Sequence, residues 1–263
     1  MTSVVSDIIG SADYFILLMF RVSGLVVSSP IFGRVNIPQR VKICFSMALG
    51  YLFFTLFPQT ADIEYSTLIG FAILCAAELL IGIALAYVTN IFFTLTAFTA
   101  GQLIDMQIGF GIVNVYDIQN NTQAPVMGNV LNLMLLIIFF ATNGHQRLIE
   151  MMYLTVNRMP VGSLTFIPNI GLVALEIFSR AFLIGVMMAL PIVASGLTME
   201  IILGMMMRVV PQIHMFVVGV PLKMIVGLIV FAVTMPVFAG FSTRIFDEMF
   251  SGVEHMFAMF VGA

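Results

Sequence analysis

Long stretches of apolar residues, separated by short polar or proline-containing turns, organise the whole chain. Six such runs fall at residues 14–32, 43–57, 68–100, 126–142, 170–203 and 215–241. Each is continuous in its apolar character. A transmembrane barrel would instead alternate apolar and polar positions, so the pattern excludes one. In lipid, only helices and closed barrels satisfy the backbone. The pattern therefore predicts an all-α, polytopic membrane-type protein in one integrated unit, with no separate soluble domain.

The turns give further detail. Between the first two runs lies Gly33-Arg34-Val35-Asn36-Ile37-Pro38-Gln39-Arg40-Val41-Lys42. Pro38 and Gly33 break helix, so the pair reads as a helical hairpin. The third run has about 33 residues, or ~50 Å as one helix, against a bilayer core of ~30 Å. It must tilt, break or project. The fifth run is also too long for one simple crossing and carries Pro191 in its middle. The segment 101–125 reads as a loop, polar in its second half. The tail from Ser242, with Asp247, Glu248, Glu254 and His255, reads as an exposed amphipathic end. The basic first turn, with Arg34, Arg40 and Lys42, favours the cytoplasm. Arg147 and Arg158 would then fall outside, so either one run is re-entrant or the topology departs from hydropathy.

Composition sharpens this picture. Of the 263 residues, 61% are hydrophobic and 9% charged, and the mean hydropathy is +1.12. Soluble domains run nearer 45–50% apolar and about 25% charged. A formal net charge of −3 and the absence of a basic patch argue against nucleic acid as a partner. Cys44 and Cys75 sit inside apolar runs and read as small buried hydrophobes, with neither a disulfide nor a metal site expected. The first basic residue is Arg21, so no signal-peptide n-region is expected and insertion would rely on the mature helices. The 21 methionines read mostly as helix-packing filler. Tryptophan is absent, so the interfacial aromatic belt is thin, which hints that lipid is not the only solvent of these helices.

Five charges lie within apolar runs: Arg21, Glu78, Arg180, Glu200 and Lys223. Each costs ~2.5–3.5 kcal/mol at a helix centre on insertion scales. Glu176 stands one helical turn before Arg180, in the favourable order for a local pair. Arg21, Glu78, Glu200 and Lys223 need partners on other helices or other chains. No acidic cluster lies inside a run, which favours buried or inter-subunit pairing over an ion pathway. Catalytic signatures are missing. His145 and Glu150 share a loop, His214 and His255 stand alone, and neither HExxH nor GxSxG occurs. No enzyme and no cofactor is expected.

Four segments, in order, carry a family resemblance. The first is Phe20-Arg21-Val22-Ser23-Gly24, followed by Ser29-Pro30-Ile31-Phe32-Gly33 and Ile37-Pro38-Gln39-Arg40-Val41-Lys42. The second is Gly101-Gln102-Leu103-Ile104-Asp105-Met106-Gln107-Ile108-Gly109-Phe110. The third is Phe139-Phe140-Ala141-Thr142-Asn143-Gly144-His145, ahead of Pro160. The fourth runs from Arg208-Val209-Val210-Pro211-Gln212-Ile213-His214 through Gly219-Val220-Pro221-Leu222-Lys223. Together they resemble the FliR/SctT family of type III secretion export-gate proteins, over about residues 14–240. The Gly-His pair after Asn143 and the Pro-Gln pair after Val210 read closest to the flagellar branch, with the injectisome SctT type as the alternative. Met205, Met206 and Met207 depart from the family pattern.

The resemblance implies a fold of kinked helical hairpins, with a FliP-like part at about 1–165 followed by a FliQ-like hairpin and tail at about 166–263. It implies a place with FliP and FliQ in a hetero-oligomeric gate of the bacterial inner membrane, at the flagellar basal body, with the assembled gate projecting to the periplasmic side. That gate would form and close the channel for unfolded exported proteins. The segment 102–123 corresponds to the family's plug loop. Met106, Gln107, Ile108, Gly109, Phe110, Gly111, Ile112 and Val113 are its candidate pore-closing residues, with Gly109 and Gly111 easing backbone turns about Phe110. Arg208, Pro211, Gln212, Pro221 and Lys223 mark the second hairpin tip, where the family meets FlhB. A different class of function remains open, a secondary transporter or ion channel, supported by charged residues in Gly- and Pro-interrupted runs. Only loose similarity links the breaks near Gly101 and Pro191, whereas such transporters repeat them. Purification separates the two, since a transporter stays folded alone and a gate subunit co-purifies in a large complex.

Overall fold

A computed structural model describes residues 2–57, 67–110, 115–117, 122–162, 170–209 and 218–261. Among these, the elements are α1 (Thr2–Ser28), α2 (Gln39–Leu56), α3 (Leu68–Asn90), a π-helical turn (Ile91–Leu95), α4 (Thr96–Ile108), β1 (Val115–Asp117), β2 (Thr122–Ala124), α5 (Val126–Ala141), α6 (Gly144–Arg158), α7 (Ile170–Val209) and α8 (Val220–Val261). Among the described residues, the regular structure is helical except for the small ribbon β1–β2. Among the same residues, three helical stretches are long and apolar enough to cross a membrane: Leu68–Ile108, Gly171–Val209 and Val220–Ala258. A fourth would be the pair α5 and α6 taken together.

Several boundaries differ from the hydropathic ones, for local reasons. The third run continues past Ala100 to Ile108, because Gln102, Asp105 and Gln107 end the apolar run without ending the helix. What stops it is Gly109, whose φ of 97° caps α4 while its N–H donates to the Asp105 carbonyl at 3.0 Å. Within this over-long stretch the helix passes through a π turn at Ile91–Leu95 without ending. Pro191 and Pro236 both lie inside helices, where each removes a backbone hydrogen bond without ending the helix. The tail is helical as well, and it is not an exposed end. Ser242, Ile245, Phe246, Met249, Phe250, Val253, Met256 and Phe257 are buried at helical spacing, while Asp247, Glu254 and His255 hold the other face. The ribbon was read as plain loop from the sequence. Its strands carry the strand-favouring Val115, Tyr116 and Thr122, and Val115 pairs with Ala124.

The chain divides into two compact units. The first comprises Met1–Asn90, Asn143–Leu175 and Met249–Ala263. Its core is the crossing of α1 and α3. Gly24 lies so near the Leu79 carbonyl that a Cβ there would come within 2.6 Å, and Gly82 lies closer still to the Arg21 carbonyl. Small residues let helix backbones approach in this way. Leu17, Leu18, Val22 and Leu25 of α1, with Leu85 and Val88 of α3, are buried. The α1–α2 turn is closed by Lys42 Nζ donating to the Gly33 carbonyl at 2.7 Å and by Arg34 Nε donating to the Pro30 carbonyl at 3.1 Å. Burial lowers the Arg34 pKa from its ordinary value, and a guanidinium still stays charged at neutral pH.

The second unit comprises Ile91–Thr142 and Glu176–Glu248. Phe93, Phe139 and Phe246 make its aromatic centre, with ring centroids 5.2–5.8 Å apart. Helix α4 lies against α5 where Gly101 meets the backbone of Gly128. It also lies against α7, where Gly185 faces Thr96 and Thr99 and Gly196 faces Gln107. The second contact comes about three turns after the first in both helices, so α4 and α7 run in the same direction.

Candidate gate segment and charged anchors

The candidate plug emerges from a tied stem. Pro125 precedes α5 and offers no side-chain cap. Asp105, on α4, supplies one instead. Its carboxylate is 4% exposed and its Oδ1 accepts the Met127 N–H at 3.2 Å. A carboxylate at a helix N-terminus satisfies an orphan donor and suits the helix dipole. One turn back on α4, Gly101 abuts Gly128. The two stem helices therefore meet twice, once by shape and once by charge-assisted hydrogen bonding.

The structure distributes the candidate pore-closing residues unevenly. Met106, Gln107 and Ile108 belong to the last turn of α4. Met106 is 62% exposed, Gln107 and Phe110 are half-buried, and Ile108 is fully buried. The Ile108 side chain meets Gly227 of α8, so in this conformation it serves packing. Gly109 has the positive φ that favours glycine. Gly111, Ile112 and Val113 lie outside the described residues.

Arg21 and Glu78 are brought together inside the first unit. Both side chains are buried, and Arg21 Nε donates to Glu78 Oε2 at 2.5 Å. Arg21 Nη1 donates to the carbonyls of Thr155 and Met159 at 3.3 and 3.1 Å, while Glu78 Oε1 accepts the Gly162 N–H at 2.8 Å. The guanidinium thereby serves two carbonyls at the C-terminal end of α6, where the helix dipole is negative. Arg21 Nη2 is buried with no protein acceptor among the described residues.

In the second unit, Lys223 of α8 pairs with Glu200 of α7. This pair is partly open to solvent, with side-chain exposures of 16% for Lys223 and 43% for Glu200. Arg180 pairs with Glu176 at 2.7 Å and reaches Glu248 at 3.7 Å. Of the candidate docking residues, Arg208 is exposed in the last turn of α7 and Pro221 stands in the first turn of α8, where a missing N–H costs little. Pro211 and Gln212 lie outside the described residues. Cys44 is exposed, Cys75 is buried, and both are free. Among the described residues, no group of three or more His, Cys, Asp or Glu side chains is placed to hold a metal.

Asp105 and the interhelical glycines were missed as site residues from the sequence. The signal that could have found them is the recurrence of single glycines inside apolar helices, which marks close helix contacts in membrane proteins.

Comparison with known proteins extends this geometry to a family. The family model described as bacterial export proteins, family 1, matches residues 12–249. The flagellar biosynthetic protein FliR of Escherichia coli (strain K12) is 31% identical over 234 residues, covering 89% of this chain and 88% of that protein. FliR of Bacillus subtilis (strain 168) is 29% identical over 259 residues, covering 97% and 98%. FliR of Aquifex aeolicus (strain VF5) is 25% identical over 257 residues, again covering 97% and 98%. Matched by the family model over most of its length and aligned with these relatives almost end to end, the chain belongs to the bacterial export proteins of family 1, the family of FliR.

Proposed function

We propose that this chain is the FliR-type component of the export gate of a flagellar type III secretion system, helping to form and close the channel for unfolded substrates. The observation that carries the reading is the near full-length match to relatives named as flagellar biosynthetic proteins. Those names favour the flagellar over the injectisome branch. In this reading the chain sits in the bacterial inner membrane at the basal body, and the assembled gate projects to the periplasmic side. Residues 1–165 act as a FliP-like part and 166–263 as a FliQ-like hairpin and tail, with FliP, FliQ and FlhB as partners.

Two physical features support it. Ile225, Ile229, Val233 and Val237 recur every fourth residue on α8, and all four are exposed. Such a stripe asks for lipid or for neighbouring subunits. The segment 102–123 springs from a stem tied by Asp105, which suits a closure element that must return to one place. Its Met106, Gln107, Ile108, Gly109, Phe110, Gly111, Ile112 and Val113 form the closing region, and hydrophobic constrictions exclude ions by dewetting. The role is that of a conduit and seal.

The test has two parts. Co-expressed with FliP and FliQ, the chain should elute with both in one stable particle far heavier than the monomer. Shortening Gly109 to Gln119 should raise the ion conductance of that particle in a planar bilayer. Failure to co-purify removes the gate assignment. A tight shortened complex removes the plug assignment.

A further inference from the structure

The last turn of α4 is held differently from the stem behind it. Where Asp105 is fastened by hydrogen bonding, Gln107 and Ile108 are held only by shape. Gln107 rests against Gly196 of α7, where a Cβ would come within 2.8 Å of its Oε1 and 3.1 Å of its Cβ. Ile108 rests against Gly227 of α8, where a Cβ would come within 2.8 Å of its Cγ1. The Glu200–Lys223 pair joins α7 to α8, and Lys223 borders the same small cavity as Gly196 and Gly227. That cavity, of about 10 Å³, is lined in part by Gln107, Ser195, Met199 and Val226, and is of the size that one water fills. Gln107 Oε1 is buried with no hydrogen-bond partner among the described residues.

These observations fit together. A permanent fastening would give the buried amide oxygen a protein donor, because leaving it unpaired costs stability. Here, lifting Gln107 from α7 breaks no protein hydrogen bond to that oxygen. The fit nevertheless tolerates little added volume, since a methyl at either glycine meets side chains of α4. We propose that Gly196 and Gly227 form a seat that positions the base of the gate segment, with Gln107 as its releasable contact. Asp105 is then the fixed point, and Gly109 marks where the seated helix ends. The proposal rests on the reading of 102–123 as the closing element and adds what holds it shut: the spacing of α7 and α8. These are positioning residues, acting through the segment they seat.

The experiment uses the assembled FliP–FliQ–chain complex in planar bilayers. Gly196→Ala and Gly227→Ala should each raise resting conductance several-fold. Gly204→Ala and Gly240→Ala, on the same two helices with no atoms near the added methyl, should stay tight. Gln107→Ala placed on Gly196→Ala should restore the seal, because it removes the Oε1 and Cδ that crowd the new methyl and leaves only Cβ, whose 3.1 Å contact a small shift relieves. If Gly196→Ala fails to assemble, the double variant should regain assembly. Leakage or misassembly that Gln107→Ala does not relieve overturns the seat. Tight Gly196→Ala and Gly227→Ala complexes, with a leaky Gly109–Gln119 deletion, overturn the seat and leave the gate reading standing. If the deletion is tight as well, both fall.

Discussion

Glu78 is asked to do two things at once: it neutralises Arg21 and accepts the N–H of Gly162. Replacing it with Ala leaves a buried guanidinium without its counter-charge, a loss of the kind that costs ~3–5 kcal/mol. Glu78→Gln keeps an acceptor for Gly162 but not the charge, and should fall between. Thermal melting of the purified complex checks this, and a Glu78→Ala complex melting with the wild type would mean the network does not hold the unit together. These two residues stood out in the sequence because charges are rare in apolar runs. Their pairing did not, since it joins positions 57 apart and depends on Gly24 and Gly82 letting α1 and α3 approach. Asp105 was harder still to see: hydropathy places it beyond the end of a run, so its burial at the start of α5 has no one-dimensional trace.

At the level of elements, the tie from α4 to α5 is a capping interaction between helices. Losing an N-cap acceptor costs ~0.5–2 kcal/mol. Asp105→Ala should therefore speed amide exchange in the first turn of α5, at Met127 above all, whereas Asp105→Asn should largely keep protection. Unchanged exchange in Asp105→Ala would show that the Gly101–Gly128 contact alone holds the stem. The Glu200–Lys223 pair makes a second expectation. The pair opens to solvent on its Glu200 side, where water screens charge, so Lys223→Glu should leave the proposed three-protein core assembled. If the proposed docking role holds, it should weaken binding of the proposed partner FlhB in a pull-down, as should Arg208→Glu at the exposed end of α7. Loss of the core itself would make these residues packing charges. Existence and type of the long helices were legible because their apolar runs are long. Their ends were not, because polar residues such as Gln102 and Gln107 are good helix formers, and because the buried face of 242–257 is too sparse to raise hydropathy.

For the whole molecule, the question is how a chain that is 61% hydrophobic stays in one state. Much of its apolar area remains uncovered, with Leu68, Ile69 and Val233 each more than 70% exposed. Expressed without FliP and FliQ, it should aggregate or be degraded, seen as loss of signal after detergent extraction. A well-behaved monomer of 28.9 kDa would count heavily against an obligate assembly. The division into two units could not be read in advance, because α7 and α8 each contribute residues to both, so no composition shift marks a boundary. The tied stem has a practical corollary. Because Asp105 and the Gly101–Gly128 contact set where the chain leaves and re-enters the helices, the stretch between Gly109 and Pro125 can change length without disturbing either end. Lengthening the connection between two fixed ends costs little closure entropy, ~0.6 kcal/mol per doubling. An epitope tag spliced there should leave the two stem helices folded, seen as unchanged amide protection at Met127, even where it disturbs the proposed seal.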